Sequence, residues 1–408
     1  MLERIKQLDL PLILLLLMLL ASGLVALYST SESLLQSGAS YSYFATQLRW
    51  IFLGLGAMIV IALATPNRLI FEGAFLFYGG VLVLLVLVFF VGTTGLGATR
   101  WLRIGGIGFQ PSEFAKIATL MAVARYLADE RRDINEPGHL MLVAALLLVP
   151  FALIVKQPDL GTALVFVVMA LPLLYWAGLK PRYLMLMTAP AFALIASFNL
   201  WSFGIVMTAI VLFMVVIRVS LLTGFAYFAL NTGLGLLRPL LWDQLNPYQK
   251  QRILTFWNPE ADPLGAGYQI IQSKVAIGSG GFLGKGFGQG SQTQLRFLPE
   301  QHTDFIFAVI GEEWGFLGVA VVLILFTLLL CRLVYLASNM RSRFSSIITI
   351  GFVTILAFHM FINVGMTVGL APVTGLPLPF ISYGGSALLT NLAIVGLILN
   401  FYRHRYEY

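Results

Sequence analysis

Residues 10–29 read L-P-L-I-L-L-L-L-M-L-L-A-S-G-L-V-A-L-Y-S, a stretch without a single charged side chain. A helix needs about 20 mostly apolar residues to cross the hydrocarbon core of a bilayer. The stretch also lacks the alternation of apolar and polar side chains that is typical of a membrane β-strand. It therefore predicts a membrane-spanning helix.

Runs of this kind recur along the whole chain. Of its 408 residues, 59% are hydrophobic and 11% are charged, and the mean hydropathy is +0.89. Only helices and closed barrels satisfy every backbone polar group inside a bilayer, so we predict an all-α polytopic membrane protein in which residues 1–408 form a single transmembrane domain. The runs lie at about 10–29, 48–65, 70–92, 112–128, 139–156, 161–178, 182–201, 203–218, 220–241, 304–331, 346–368 and 384–402.

Basic residues between the runs indicate the orientation. Cytoplasmic loops of membrane proteins carry an excess of Lys and Arg, and Arg4 with Lys6 place the N-terminus in the cytoplasm. Alternation of the spans then puts Arg131, Arg341 and Arg403 on the same side. We therefore expect a multi-pass protein of the cytoplasmic (inner) membrane with both termini in the cytoplasm.

The number of spans depends on the region 182–241, where three runs are crowded together and one of them is short. One span there gives ten in total and three give twelve, and both leave the orientation of the rest unchanged. We expect ten core helices with an inserted helix pair at 203–241. The net charge of +7 does not indicate nucleic-acid binding, because the basic residues cluster at the ends of the spans.

One long polar segment, residues 242–303, is expected to form a large extracytoplasmic loop with short amphipathic helices. One of them is predicted at 268–277, with Ser273 on its polar side and Val275 on its apolar side. It contains N-P-E-A-D-P-L-G-A-G-Y at 258–268, in which Asp262 precedes a proline and a glycine-rich turn. Carboxylates are scarce on this side, so Asp262 is the best candidate for an acid or base in any reaction there. The alternative is that Asp262 only caps the turn.

Basic residues also occur on the outer side, against the topology rule. Arg100 and Arg103 lie in the loop after the third run, Lys116 lies about one turn into the next run, and Lys274 lies on the apolar edge of the predicted amphipathic helix. Such side chains bind anionic groups, of which lipid pyrophosphates are an example. The alternatives are contacts with lipid headgroups and ion pairing, as between Lys116 and Glu113.

Three acidic residues lie at the start of an apolar run or inside one, and each has two interpretations. Asp159 precedes the run at 161–178 and is well placed to cap that helix. Glu312 and Glu313 lie inside an apolar run, where ionisable groups are costly and usually functional, although a helix–helix contact also accommodates them. These glutamates are also the kind of residue that a lipid transporter uses.

The remaining polar motifs are less specific. His302 and Asp304 cannot form a catalytic triad without a nucleophile, and no cluster has the spacing of a zinc site. The Pro- and Gly-rich segment at 371–387 cannot be helical throughout and is expected to fold back and line a cavity.

The longest motif is N-V-G-M-T-V-G-L-A-P-V-T-G-L-P-L-P-F-I-S-Y-G-G-S-A at 363–387. It resembles the signature of the SEDS family (shape, elongation, division and sporulation) almost without change. The stretches D-P-L-G-A-G-Y-Q-I-I-Q-S-K-V-A-I-G-S-G-G at 262–281 and F-L-P-E-Q-H-T-D-F-I-F-A-V-I-G-E-E-W-G at 297–315 resemble the elongation branch of that family, RodA.

This resemblance implies a peptidoglycan glycosyltransferase that polymerises lipid II on the outer face of the membrane during cell elongation and cell-shape maintenance. It also implies a class B penicillin-binding protein transpeptidase as partner, within the elongation machinery. Asp262 matches the essential aspartate of the family and is expected to be the general base of an inverting transfer. The residues expected to bind substrate are Trp101, Arg103, Lys116, Asp159, Lys274, Arg100, Ser382 and Gly384.

Two rival functions are a lipid II flippase and a scaffold that only organises the transpeptidase. A flippase is expected to have helices broken at the midplane of the membrane, whereas the Pro and Gly breaks here are predicted at the outer surface. A scaffold leaves the basic outer loops unexplained. A divalent cation, Mg²⁺ or Mn²⁺, bridging Asp262 and a pyrophosphate is chemically reasonable, although no residue spacing requires it.

Overall fold

Helices follow one another along nearly the whole chain in the computed structural model, which describes residues 7–36, 42–95, 98–104, 107–263, 265 and 267–405. The long helices are α1 Leu10–Gln36, α2 Tyr43–Ala64, α3 Asn67–Val91, α4 Pro111–Leu127, α5 Pro137–Lys156, α6 Leu160–Trp176, α7 Pro181–Ala196, α8 Leu200–Val216, α9 Leu221–Leu236, α14 Ile306–Asn339, α15 Arg343–Val368 and α16 Gly385–Arg403. Between α9 and α14 lie the shorter helices α10 Arg238–Gln244, α11 Pro247–Trp257, α12 Tyr268–Gly280 and α13 Ser291–Gln294.

The all-α polytopic architecture is confirmed, since each predicted apolar run overlaps one long helix. Within the described part of the chain, seven helices are long and apolar enough to cross a membrane, namely α1, α2, α3, α5, α14, α15 and α16. The apolar helices α6 to α9 are shorter. A helix of 17 residues is about 25 Å long, somewhat less than the hydrocarbon core. The exact number of spans therefore stays a prediction.

The region 182–241 contains three helices, α7, α8 and α9, which pack on one another. Their shared core is a small apolar cluster of Ala193, Met207, Ile210 and Met214, separate from the main core of the bundle. This separation agrees with an added unit, and the predicted insertion at 203–241 remains an interpretation.

The main core forms around α15 and α16, which are the most buried of the seven helices long enough to cross a membrane. Helix α16 packs on α2, and α15 packs on α4, α6 and α14. Large apolar side chains with almost no exposed surface, such as Phe166, Phe326 and Phe352, fill the space between these helices. The outward faces of α1 to α3 carry exposed Leu, Val and Phe side chains, as expected of helices that contact lipid.

A three-stranded antiparallel sheet follows α3, where the sequence indicated only a loop. Its strands are β1 Thr93–Gly95, β2 Ala98–Ile104 and β3 Ile107–Phe109, with β2 in the centre. The register pairs Thr93 with Trp101 and Leu102 with Phe109. The many glycines and the charged residues of this stretch obscured the strand pattern, but the sheet fixes the positions of Arg100 and Trp101.

The amphipathic helix predicted at 268–277 is observed as α12, with one difference. It packs on α14 and α15, and Ser273, expected on the polar side, is buried and donates a hydrogen bond to the carbonyl oxygen of Thr367 (2.7 Å). Val275, expected on the apolar side, is exposed. Contacts with the two long helices therefore decide the orientation of α12.

Helix α14 is interrupted at Gly315, whose φ of 61° and ψ of −155° are not helical. The residues after this break donate their backbone N–H groups to the loop that follows α12: Phe316 donates to the carbonyl oxygen of Gly281 (2.9 Å) and Leu317 to that of Phe282 (3.2 Å). In return, Lys285 donates its backbone N–H to the carbonyl oxygen of Glu312 (3.0 Å). The glycine-rich loop at 281–290 thus replaces hydrogen bonds that the broken helix cannot make.

The Glu312 side chain fastens the same loop. Its carboxylate accepts hydrogen bonds from Lys285 Nζ (2.8 Å) and from the backbone N–H groups of Gln292 (2.9 Å) and Thr293 (3.0 Å). Glu313 accepts a hydrogen bond from the hydroxyl of Ser29 in α1. The two glutamates therefore hold the loop and the neighbouring helix, which agrees with the packing interpretation of these residues.

Candidate active site

A cavity of about 760 Å³ opens at the end of the bundle where β2, the start of α2, the start of α4 and the segment at 374–387 meet. The predicted cavity-lining role of residues 371–387 is thus confirmed for most of that segment. Three arginines and three carboxylates line the cavity together with aromatic and small residues. The charged and aromatic lining residues are Arg49, Arg100, Arg252, Glu113, Glu300, Asp304, Trp50, Trp101 and Tyr383.

Arg100 and Asp159 come together at one wall of this cavity. Arg100 Nη1 lies 3.6 Å from Asp159 Oδ2, and the Asp159 side chain is almost fully buried. Asp159 also caps α6 as predicted, because it accepts hydrogen bonds from the backbone N–H (3.2 Å) and the hydroxyl (3.0 Å) of Thr162. The capping and site interpretations are therefore compatible: the helix fixes the carboxylate, and the carboxylate orients the arginine.

Glu113 and Lys116 form a buried ion pair, which was the alternative interpretation for Lys116. The Nζ–Oε2 distance is 2.9 Å, and each side chain is 4% exposed. Lys116 Nζ also lies 3.4 Å from His359 Nε2. Glu113 lines the cavity, whereas Lys116 is not part of the lining. The ammonium group of Lys116 therefore balances the charge of the Glu113 carboxylate and holds it in position.

The two other predicted residues of β2 differ in position. Trp101 lines the cavity, and its ring lies close over the backbone of Gly108 in β3, where a Cβ atom would be 3.4 Å from the ring. Arg103 is exposed and does not line the cavity. Its partner in the strand register is also Gly108, at the edge of the small sheet.

Ser382 and Gly384 belong to the segment that closes the cavity. Ser382 is buried, donates a hydrogen bond to the carbonyl oxygen of Thr303 (2.6 Å) and accepts one from the backbone N–H of Leu378 (2.9 Å). Its hydroxyl therefore shapes the loop. Gly384 lines the cavity, and its backbone N–H donates to Gln47 Oε1 (3.3 Å).

Asp262 ends a short 3₁₀ turn, Pro259–Ala261, and does not line the cavity. Its carbonyl oxygen accepts a hydrogen bond from the backbone N–H of Gly267 (3.0 Å), and its Oδ2 accepts one from Gln251 Nε2 (3.0 Å). The residue after Gln251 in α11 is Arg252, which does line the cavity. Asp262 is thus linked to the cavity wall through α11.

Lys274 is also outside the cavity lining. It lies on the exposed side of α12 and packs against Gly369, where a Cβ atom would be 2.3 Å from Lys274 Cε. Gly369 has a φ of 80°, a conformation that favours glycine.

Sequence reasoning missed Asp304, which lines the cavity near Arg252. Burial raises the pKa of Asp304 to about 6, partly opposed by the positive charge of Arg252. His302 and Asp304 were set aside because no nucleophile accompanies them in the sequence. Burial lowers the pKa of the neighbouring His302 to about 4, and its ring stacks on Tyr43 with centroids 3.7 Å apart.

Among the residues that the structure describes, no three His, Cys, Asp or Glu side chains converge as ligands of a metal ion. A cation that bridges one carboxylate and a pyrophosphate takes its other ligands from the substrate and water. The Mg²⁺ or Mn²⁺ ion therefore stays a proposal.

Comparison with known proteins places this geometry in a family. The family model of the cell cycle proteins FtsW, RodA and SpoVE matches residues 10–205 and 199–407. The peptidoglycan glycosyltransferase MrdB of Escherichia coli K12 is 37% identical to this chain, and the match covers 98% of this chain and 94% of MrdB. The peptidoglycan glycosyltransferase RodA of Treponema pallidum is 33% identical, and the match covers 97% of this chain and 98% of that RodA.

A solved chain from a peptidoglycan synthase complex that coordinates polymerization and crosslinking has a TM-score of 0.73 and 33% identity, and the match covers 98% of this chain and 99% of that one. The motifs at 262–281, 297–315 and 363–387 predicted this relationship. The chain belongs to the FtsW, RodA and SpoVE family.

Proposed function

We propose that this chain is a peptidoglycan glycosyltransferase that polymerises lipid II into glycan strands in the cavity described above. The observation that carries the proposal is the cavity itself, in which Arg49, Arg100 and Arg252 face Glu113 and Asp304 at one end of a membrane bundle. Arginine is well suited to pyrophosphate because its planar donors match two phosphate oxygens at once.

The chemistry requires two lipid-linked sugars. The 4-hydroxyl oxygen of the acceptor sugar attacks C1 of the donor sugar; the bond from C1 to the pyrophosphate oxygen breaks, and its electron pair leaves with the pyrophosphate. A carboxylate takes the hydroxyl proton, and the arginines stabilise the charge that develops on the leaving group. Because the attack comes from the opposite face, the transfer inverts the anomeric centre.

We propose Asp262 as the base that takes this proton. Support comes from its match to the essential aspartate of the family and from its link through Gln251 to Arg252 in the cavity wall. Asp304 is the competing carboxylate, since it lies in the lining. A Mg²⁺ or Mn²⁺ ion bound to Asp262 would neutralise charge on a pyrophosphate.

The other predicted residues are assigned by position. Arg100, Trp101 and the backbone of Gly384 contact the substrates in the cavity, while Asp159 and Lys116 position Arg100 and Glu113. Ser382 keeps the closing segment in shape. Arg103 and Lys274 are proposed to contact the phosphates of lipids at the membrane surface, because both are exposed outside the cavity.

We further propose that the chain acts with a class B penicillin-binding protein of the elongation machinery. The match to a chain of a peptidoglycan synthase complex supports this pairing. The cavity would then face the outside of the inner membrane and both termini the cytoplasm, because Arg131, Arg341 and Arg403 lie at the ends of helices opposite to the cavity.

The test is polymerisation of lipid II by the purified protein with its partner, in the presence of moenomycin to inhibit contaminating polymerases of the other class. Wild type is compared with Asp262→Asn, Asp304→Asn and Glu260→Gln, the last being an exposed carboxylate of the same turn as Asp262. We expect strands from wild type and Glu260→Gln, and a loss of about 10²–10⁴-fold for Asp262→Asn.

Normal strand synthesis by Asp262→Asn, together with loss in Asp304→Asn, would transfer the role of base to Asp304. No strands from a folded wild-type complex, combined with movement of labelled lipid II across vesicles, would replace the polymerase by the flippase alternative.

A further inference from the structure

A second cavity, of about 270 Å³, lies at the end of the bundle opposite to the active site. Its walls come from three places that are distant in sequence: the start of α3, the turn between α14 and α15, and the end of α16. The lining residues are Asn67, Arg68, Phe71, Met340, Arg341, Ser342, Phe344, Ser345, Phe401, His404 and Arg405.

The ionisable side chains that line this cavity are all basic. Three arginines, Arg68, Arg341 and Arg405, each from a different segment, line it together with His404, and no carboxylate is among the described lining residues. Arg68 pairs with the exposed Glu72 one turn along α3 (2.7 Å). Arg341 makes no hydrogen bond or ion pair with any residue that the structure describes.

The backbone adds to the positive potential. Both α3 and α15 begin at this cavity, and the first N–H groups of a helix have no partner within it. In α15 one of these groups, that of Ser345, donates to the hydroxyl of Ser342 (3.4 Å). Pro66, the residue before α3, provides no side-chain cap. The buried side-chain oxygen of Asn67 has no hydrogen-bond partner among the described residues. The oxygen and nitrogen of an asparagine amide are distinguished only by their hydrogen-bond partners. With the Asn67 amide flipped, its NH₂ group takes the place of this oxygen and donates to a bound anion.

The floor of the cavity is apolar. The ring of Phe344 packs edge-on against Phe71, with centroids 5.1 Å apart, and against Phe401, at 5.8 Å. Anions held over such a floor are less screened by water, which strengthens their attraction to the arginines. A ligand that combines a phosphate with an apolar part fits this combination better than a free ion does.

Basic residues at the cytoplasmic ends of spans are common and usually reflect orientation alone. Three features distinguish this cluster: the arginines of three segments converge on one concavity, two helices begin there, and the floor is aromatic. We propose that this cavity is a binding site for an anionic phosphate group, carried by a phospholipid of the inner leaflet. Binding joins the ends of α3, α15 and α16.

The test uses the full-length protein purified in detergent, with retention of added phosphatidylglycerol measured by native mass spectrometry. Phosphatidylcholine, inorganic phosphate and an acidic peptide serve as comparison ligands. The cavity variant is Arg341→Gln/Arg405→Gln, and the matched control is Arg131→Gln/Arg182→Gln, which removes the same charge from exposed positions at the same end of the bundle.

We expect phosphatidylglycerol to bind the cavity variant roughly tenfold or more weakly than wild type and the control variant, and phosphatidylcholine to be retained by none. Displacement of the lipid by inorganic phosphate also supports a phosphate site and assigns it to soluble phosphates. Equal retention by both double variants, or binding of the acidic peptide alone, overturns the proposal. Thermal midpoints without ligand show whether each variant folds, and Arg341→Gln alone replaces the double variant if it does not.

Discussion

Lys116→Met is the substitution for which the structure gives the clearest magnitude. It removes the ammonium group of a buried ion pair and keeps most of the side-chain volume, so that Glu113 remains as a buried carboxylate without its partner at 2.9 Å. Removal of one member of such a pair typically costs about 3–5 kcal/mol. That range corresponds to roughly a 100-fold or greater rise in the equilibrium constant of unfolding.

The double variant Glu113→Gln/Lys116→Met removes both charges and should recover most of the lost stability, because an uncharged pair needs little hydration. It should still polymerise poorly, since Glu113 lines the cavity.

The assay is unfolding of the purified protein by titration with SDS, carried out on wild type, both single variants and the double variant. Glu72→Gln is the control, because it removes the ion pair with Arg68 and keeps the arginine; the side chains of that pair are 85% and 55% exposed, against 4% for each side chain of the buried pair. Exposed pairs contribute little. If Lys116→Met loses no more stability than Glu72→Gln, or if the two single losses simply add in the double variant, the pair is not the buried, coupled unit described above.

Three further predictions follow from the same contacts. Burial raises the pKa of Asp304 from 3.8 to about 6, so between these pH values the folded state keeps a proton that the unfolded chain has released. Melting curves of wild type should therefore show a loss of thermal stability as pH rises from about 4 to 6. Asp304→Asn should lose less stability over the same range. Asp159→Asn should raise KM for lipid II more than it lowers kcat, because Arg100 loses its partner; equal effects on both would contradict a positioning role. Glu312→Gln should speed tryptic cleavage at Lys285 at least several-fold, whereas Glu260→Gln should not, in timed digests.

The long helices were predictable because a bilayer imposes one length and one kind of side chain on every span. Each apolar run overlaps one long helix, although α1 and α14 end seven and eight residues beyond their runs. The orientation inferred from Lys and Arg stays a prediction. Motif resemblance identified the family. Helix α12 was predicted, but the side it buries was not, because contacts with α14 and α15 outweigh its own weak polarity pattern.

The site was predicted in part. Arg100, Trp101 and Gly384 line the cavity, whereas Arg103 and Lys274 are exposed elsewhere, since charge at an outer position does not reveal which way a side chain points. Asp304 and Arg252 were missed for the opposite reason: each becomes notable only when the chain brings the two residues together across about fifty positions. Long-range proximity of this kind has no local signal in one sequence.

The break in α14 has an evolutionary consequence. The loop at 281–290 is matched to the helix by backbone hydrogen bonds from four different residues, and no substitution other than one to proline removes a backbone group. Apart from the glycines with positive φ, such as Gly284 and Gly286, and Lys285, which pairs with Glu312, the side chains of the loop are therefore free to change in descendants of this chain. The spacing between Phe282 and Lys285 is not, because the insertion or deletion of one residue there would shift the two bonds before it relative to the two after it.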